Sequence, residues 1–290
     1  MERTLLEVTE NLKNTLISCI KILIRSRLIN IMLPNASPED EIVILGNGPS
    51  LKDVFEKYPD FLLGKKKMCV NSFAVSDQFE RIKPEYYVFA DPGWWIKKPL
   101  QDVEKLKAKV LQKVEGLTWK INFLLPNEAR NSAFVKQLES NKLCAIYYYN
   151  KTTVRGFKPF IHLMYKKMLG MPRPQTVLVP ALMLGINMQF KKIFLLGADH
   201  SWHEDLIVDE DNVLCIKHQH FTEILDSYRA YIPVREVHTG RYIKIYEQFE
   251  SLTIIFRNYL IINDYAKYRG STIWNASLKS YIDAFERYKI

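Results

Sequence analysis

The chemistry in this sequence is concentrated at a few points. Gly46-Asn47-Gly48-Pro49-Ser50 follows the apolar run from Glu41 to Leu45 and precedes Leu51-Lys52-Asp53-Val54, which can open a helix. Glycines there would let backbone N–H groups approach an anion, and a helix N-terminus would add its positive dipole end. The spacing is not G-x-G-x-x-G, and no Gly-Lys-Ser/Thr follows, so this is a phosphate-type turn of neither common pattern. Asn71, Asp91 and Asp199 likewise follow short apolar runs. With Asn47 they make four polar groups at four strand ends, which predicts one shared nucleotide-binding crevice. The plainer alternative is that each caps a turn, as Asn and Asp often do.

All six histidines fall in the second half: His162, His200, His203, His218, His220 and His238. Histidine is the usual proton carrier near neutral pH. His200, Ser201 and His203 directly follow the Asp199 strand end and should face the crevice. His218 and His220 come after the polar stretch Asp209-Glu210-Asp211-Asn212. A mixed His/Asp metal site is conceivable at these spacings, but there is no His-Glu-x-x-His, and the expectation is no metal. His162 lies in a helix-like apolar stretch and reads as structural. His238 reads as part of a turn.

The elements that must position these groups alternate along the chain. Strand candidates end at Gly46, Asn71, Ala90, Pro126, Asn150 and Gly197. Helix-length stretches lie between them, including 100–114 and 176–188. This pattern predicts an α/β fold, a mostly parallel Rossmann-like sheet with helices on both faces. A long helix is expected over 242–269 with Gly270 as its stop. A last strand is expected over 271–275 and a last short helix over 280–285.

The chain has 290 residues, 48% hydrophobic and 25% charged, which excludes disorder and a disulfide-stapled miniprotein. Lys and Arg number 41 against 32 Asp and Glu, a net charge of +9. That suits an anionic partner, although a merely solvated basic face would read the same. The four cysteines are far apart with no CxxC pair, so they read as free thiols of a reducing compartment. No signal peptide is recognisable, and the cytoplasm is the expected location. Over residues 11–33, Leu12, Leu16, Ile20, Leu23 and Ile24 recur at helical spacing, with Lys13, Lys21, Arg25 and Arg27 among them and no acid. Mid-segment charge argues against a spanning helix. The run predicts a basic amphipathic helix on an anionic membrane surface, at the inner face of the plasma membrane. The alternative is an ordinary helix packed on the body. Pro34 to Pro38 reads as a linker, dividing the chain into a helical arm (1–38) and one α/β domain (39–290).

Strand-Gly46-Asn47-Gly48-Pro49-Ser50-Leu51 resembles the opening of the family 42 bacterial sialyltransferases. It also resembles the related motility-accessory-factor glycosyltransferases and a wider 6-hydroxymethylpterin diphosphokinase-like group. Val70-Asn71-Ser72-Phe73, Phe89-Ala90-Asp91-Pro92 and Thr176 to Asp199 are similar to further family patches, in order. The resemblance implies a GT-A-like variant of the fold. It also implies inverting transfer of a nonulosonic acid from a CMP-sugar to a surface glycan or glycolipid acceptor, without metal or other cofactor. On it, Gly46, Asn47, Gly48, Pro49, Ser50 and Asn71 would hold the nucleotide, with Asp91, Thr176, Asp199 and Ser201 nearby.

The family's tyrosines after the Gly-x-Asp strand end are replaced here by His200, Ser201, Trp202 and His203. A histidine there could meet the departing phosphate through a charge-assisted hydrogen bond. His220 is the expected general base, with His218 and His238 in reserve. Two other functions remain open. A pterin diphosphokinase-like ATP enzyme would hold Mg²⁺ on Asp91, Asp199 and Glu204. A non-catalytic nucleotide-binding protein would need no base. No interleaving of basic and aromatic residues indicates a nucleic acid, and self-association is compatible with the sequence.

Overall fold

The computed structural model describes residues 2–29, 31–34, 36–37, 40–97, 101–217, 231–236 and 239–290. Eight parallel strands form one sheet: β1 (Glu41–Leu45), β2 (Lys66–Val70), β3 (Tyr86–Val88), β4 (Ile121–Pro126), β5 (Cys144–Tyr149), β6 (Lys192–Leu196), and, after a three-stranded insertion, β10 (Thr272–Asn275) and β11 (Glu286–Arg287). Their spatial order is β11-β10-β6-β1-β2-β3-β4-β5. The insertion is a small antiparallel sheet of β7 (Leu206–Val208), β8 (Leu214–Ile216) and β9 (Ile232–Pro233).

Central strands buried on both faces read as continuous apolar runs, with successive side chains going to opposite sides. Ile42 and Ile44 of β1 join one core and Val43 and Leu45 the other; Ile193 and Leu195 of β6 are likewise separated from Phe194 and Leu196. The first core is covered by α6 (Lys158–Lys166), α7 (Leu178–Asn187) and α8 (Ile245–Arg269). The second is covered by α2 (Leu51–Lys57), α3 (Gln78–Ile82), α4 (Gln101–Glu115) and α5 (Ala133–Glu139). This is the expected α/β architecture, with helices on both faces and an additional N-terminal helix.

That helix, α1 (Glu2–Arg25), starts earlier and ends earlier than the apolar spacing predicts. It stops where Ser26 turns its hydroxyl to the Leu169 carbonyl (2.6 Å) and the Arg27 N–H is taken by Asn150 Oδ1 (2.9 Å). The helix is docked on the body through small polar residues. Ser18 is buried, donates to the Arg155 carbonyl and accepts from the Arg155 N–H, both at 2.8 Å. Thr15 Oγ1 accepts from the Phe157 N–H (3.2 Å), and a Cβ on Gly156 would meet the Thr15 backbone at 2.9 Å. Ile22 alone among the described α1 side chains enters a core. Leu5, Leu6, Leu12, Leu16, Ile20, Leu23 and Ile24 all face outward. The helix therefore packs on the body, with its apolar stripe on the outer side. No described helix is long and apolar enough to cross a membrane.

The helix expected over 280–285 does not form. Tertiary partners take the backbone and hydroxyl groups that would hold it. The Tyr281 N–H donates to the Asp199 carbonyl (2.9 Å), Ser280 Oγ to the Ala198 carbonyl (2.6 Å), and Asn275 Nδ2 to the Ile282 carbonyl (2.9 Å). This irregular segment holds the end of β6 in place. The long helix α8 ends as expected, with Gly270 left-handed at φ 70°.

The close approach at Gly156 can be tested. Gly156 has φ 136° and no room for a methyl group, so Gly156→Ala should lower unfolding stability by about 1–3 kcal/mol. Gly64→Ala, at φ 71° in open space, should cost no more than about 1–2 kcal/mol from backbone strain alone. Urea unfolding of the two variants measures the difference, and limited proteolysis within residues 1–29 should accelerate only in the first.

Candidate functional site

β1 and β6 lie side by side in register from Glu41↔Lys192 to Leu45↔Leu196. From β1 the sheet grows through β2 to β5 on one side, and from β6 through β10 and β11 on the other. Their junction is thus the switch point, where ligand crevices form beyond the carboxyl ends of strands. The two turns that leave these strands bond to each other. The Gly46 N–H donates to the Leu196 carbonyl and the Gly48 N–H to the Gly197 carbonyl, both at 2.8 Å. A Cβ on Gly48 would lie 2.6 Å from the Gly197 oxygen. Close contact between two backbones therefore requires these glycines, and their N–H groups are engaged within the protein.

Asp199 completes the junction. Its carboxylate accepts the Ser50 N–H (2.9 Å) and the Ser50 hydroxyl (2.5 Å) at the start of α2. The first turn of that helix thus holds the protein's own carboxylate where the turn pattern suggested an external anion. Burial pushes the Asp199 carboxyl pKa up, against the two Ser50 hydrogen bonds that favour its charged form.

Beyond this junction opens a cleft of about 440 Å³, a size suited to a small organic ligand. Gly46, Asn47, Gly48, Pro49, Asn71, Thr176, Asp199, His200 and Ser201 all line it, so most of the residues picked out by the sequence do converge. Ser50, Asp91 and His203 are not among its walls. Ser50 anchors Asp199. Asp91 is exposed and caps its own turn by accepting the Gly93 N–H (2.8 Å). His203 is exposed, with its ring edge-on to Tyr281 at 4.4 Å. His220, His218 and His238 lie outside the described residues.

The cleft also has walls that strand-end reasoning missed. Trp202 packs its ring 4.3 Å from that of His200. Lys217, at the end of β8, is the cleft's sole Lys or Arg among the described residues. Gln248, Ser251, Leu252 and Ile255 come from the first turns of α8. Their three- and four-residue spacing marks a single helix face, but nothing local indicates that this face meets β1 and β6.

Three polar groups in the walls are held in unusual states. The Asn47 amide donates to the Val70 carbonyl (3.4 Å) and Ser72 Oγ (3.3 Å), while its Oδ1 is buried with no partner. An orphaned buried acceptor is costly unless a ligand donor meets it. Asn71 is left-handed (φ 45°), pinned by the buried Tyr87 hydroxyl donating to its carbonyl at 2.6 Å. His200 is also left-handed (φ 53°) and only 6% exposed. Its Nε2 lies 2.5 Å from the Tyr259 hydroxyl, which in turn lies 3.4 Å from Thr176 Oγ1. Burial pulls the His200 pKa down to about 3. In the free protein the imidazole is neutral at ordinary pH and offers a neutral hydrogen bond, without the charge assistance considered from the sequence.

The three carboxylates considered for a metal have separate engagements. Asp91 caps a turn, Asp199 holds Ser50, and Glu204 bonds Lys279 (2.6 Å) and the Tyr281 hydroxyl. Among the described residues, no three His, Cys, Asp or Glu side chains are placed to share a metal ion.

No known protein-family profile matches the sequence, and no curated protein matches it. Among solved structures, the chain is similar to the MAf glycosyltransferase from Magnetospirillum magneticum AMB-1, at 13% identity and a TM-score of 0.49. The match covers 97% of this chain and 38% of that one, so the chain spans well under half the length of that protein.

The neutral state of His200 has a signed consequence. Its pKa falls from 6.5 to about 3 on folding, so between those values the unfolded chain binds a proton that the folded one does not. Stability should therefore drop as pH falls below about 6.5. In His200→Gln the slope of unfolding free energy against pH between about 6 and 4 should be shallower than in the wild type, as read from urea midpoints across that range.

Proposed function

We propose that the protein is an inverting, metal-independent glycosyltransferase that moves a sialic-acid-like sugar from a CMP-sugar to a surface-glycan or glycolipid acceptor. The observation that carries this reading is the convergence of Asn47, Asn71, Thr176 and Lys217 on one cleft at the switch point of a parallel sheet. The Gly46–Leu51 motif resembles sialyltransferase-like enzymes at the same strand end. In this reading Asn47 Oδ1 accepts from the nucleoside, Asn71 and Thr176 orient it, and Lys217 meets the phosphate. The acceptor hydroxyl attacks the anomeric carbon as the bond to the CMP phosphate breaks. The hydroxyl proton passes to His220, three residues beyond Lys217. His200 donates a neutral hydrogen bond towards the departing phosphate. His203, outside the cleft, has no direct role. Ser50 acts through Asp199, by keeping the junction closed.

The location proposed is the inner face of the plasma membrane. Supporting it are the outward apolar stripe of α1 and the basic residues Lys13, Lys21, Arg25 and Arg27 interspersed with it. Such a surface suits binding in the interfacial plane of an anionic bilayer. Domain organisation follows the same division, with α1 as a membrane-facing element docked on a catalytic α/β body.

CMP should raise the thermal midpoint equally with and without EDTA; stabilisation by ATP that requires Mg²⁺ would instead favour the phosphoryl-transfer alternative. Lys217→Gln should weaken CMP binding about tenfold, the worth of a charge-assisted contact. His220→Ala should lower turnover by roughly 10²- to 10⁴-fold with CMP affinity unchanged, because the base acts on the acceptor. Replacing Leu16, Ile20 and Leu23 by Ser should leave the protein folded while abolishing its co-sedimentation with anionic vesicles.

A further inference from the structure

A second cleft, of about 510 Å³, opens where α1 ends against the carboxyl ends of β4 and β5. Lys21, Arg25, Arg27, Arg130 and Lys151 line it, with Glu128 as the acidic counterpart. Glu128 pairs with Lys151 at 2.7 Å. Among the described residues no carboxylate pairs with Lys21, Arg25, Arg27 or Arg130. Several cations converging with so little compensation raise the potential of a concave surface and call for an anion.

The floor is built and rigid. The buried Asn150 bonds the Arg27 N–H and carbonyl, the Met168 carbonyl and Asn127 Nδ2, all between 2.7 and 3.0 Å. Two of the cations lie against aromatic rings: the Arg130 guanidinium 3.7 Å above Tyr148, and Lys151 5.2 Å from Trp95. The Arg130 guanidinium so held presents a planar fork of donors that suits phosphate oxygens.

The rim says what carries the phosphate. Ile24 lines the cleft, is 76% exposed, and continues the outward apolar stripe of Leu16, Ile20 and Leu23. Cationic and exposed apolar surfaces are therefore contiguous. We infer that this cleft binds the phosphate head of a membrane-borne lipid while α1 lies in the bilayer interface. Both clefts open on the carboxyl edge of the sheet, and β1 and β4 are three strand spacings apart, about 14 Å. A lipid phosphate held here would keep an attached acceptor glycan beside the first cleft. That last role rests on the glycosyltransferase reading; lipid-phosphate binding does not.

The test uses the full chain and two probes: dihexanoyl phosphatidic acid kept below its micellar concentration, and inorganic phosphate. Calorimetric titration should show saturable binding of the lipid at least about tenfold tighter than of phosphate, since its chains reach the Ile24 rim. The pair Arg25→Gln with Arg130→Gln should weaken lipid binding about tenfold or more. Ile24→Ser should weaken lipid binding and leave phosphate binding unchanged. Unchanged CMP stabilisation in all variants shows that they fold and that the first cleft is intact. Absence of saturable lipid binding, or lipid binding indifferent to the arginine pair, overturns the inference. Equal affinity for lipid and phosphate overturns its membrane half by making the cleft a site for soluble anions. A wild type that binds the lipid but not CMP refutes the nucleotide reading and leaves this one standing.

Discussion

The contact on which the rest of this structure depends is the one between two backbones, where the turn after β1 meets the turn after β6. Gly46 and Gly48 donate to the carbonyls of Leu196 and Gly197, and Asp199 reaches across to hold Ser50. These bonds join the two halves of the sheet at the strands from which they diverge. They also set the mouth of the cleft, because Asn47 and His200 project from the same two turns. Buried hydrogen bonds of this sort contribute modestly in net terms but are expensive to leave unmade. The glycines are therefore structural first, and any service to a ligand comes through the geometry they permit.

Much of the fold was legible because parallel strands buried on both faces leave a simple trace: apolar runs of four to six residues that stop at a polar residue or glycine. The runs ending at Gly46, Asn71 and Gly197 were of this kind, and their ends meet. The segment 280–285 was not legible, because its partners Ala198 and Asp199 are remote in sequence and, with the nearby Asn275, override local helix preference. Asp91 misled for a related reason: a strand-end Asp can turn back on its own chain, and here it takes Gly93 N–H. Lys217, Gln248 and Ser251 carried no local sign, since only tertiary packing brings β8 and α8 over β1 and β6.

The N-terminal helix packs on the body, but not through the apolar stripe that its periodicity picks out. Its attachment is polar and small, through Thr15, Ser18 and Ser26, while its large apolar residues other than Ile22 remain outside. An amphipathic pattern alone cannot say which face is turned inward. Hydrogen bonds to the loop after β5 settle the matter, with Gly156 letting the helix come close enough to make them.

α8 has 25 residues and so extends about 37 Å at 1.5 Å per residue. Its first turns line the cleft beyond β1 and β6, its middle presents Tyr259 to His200, and its last turns pack Tyr265 and Arg269 on Asn187 before Gly270. Mechanically it is a stiff beam anchored along its length, from Leu252 and Ile255 in the first core to Tyr265 beside Asn187. It cannot bend one wall inward without breaking its own hydrogen-bond ladder, nor tilt without shearing the packing around Tyr265. The wall that α8 gives the cleft is thereby fixed in shape, so a ligand entering there has to match Gln248, Ser251, Leu252 and Ile255 where they stand.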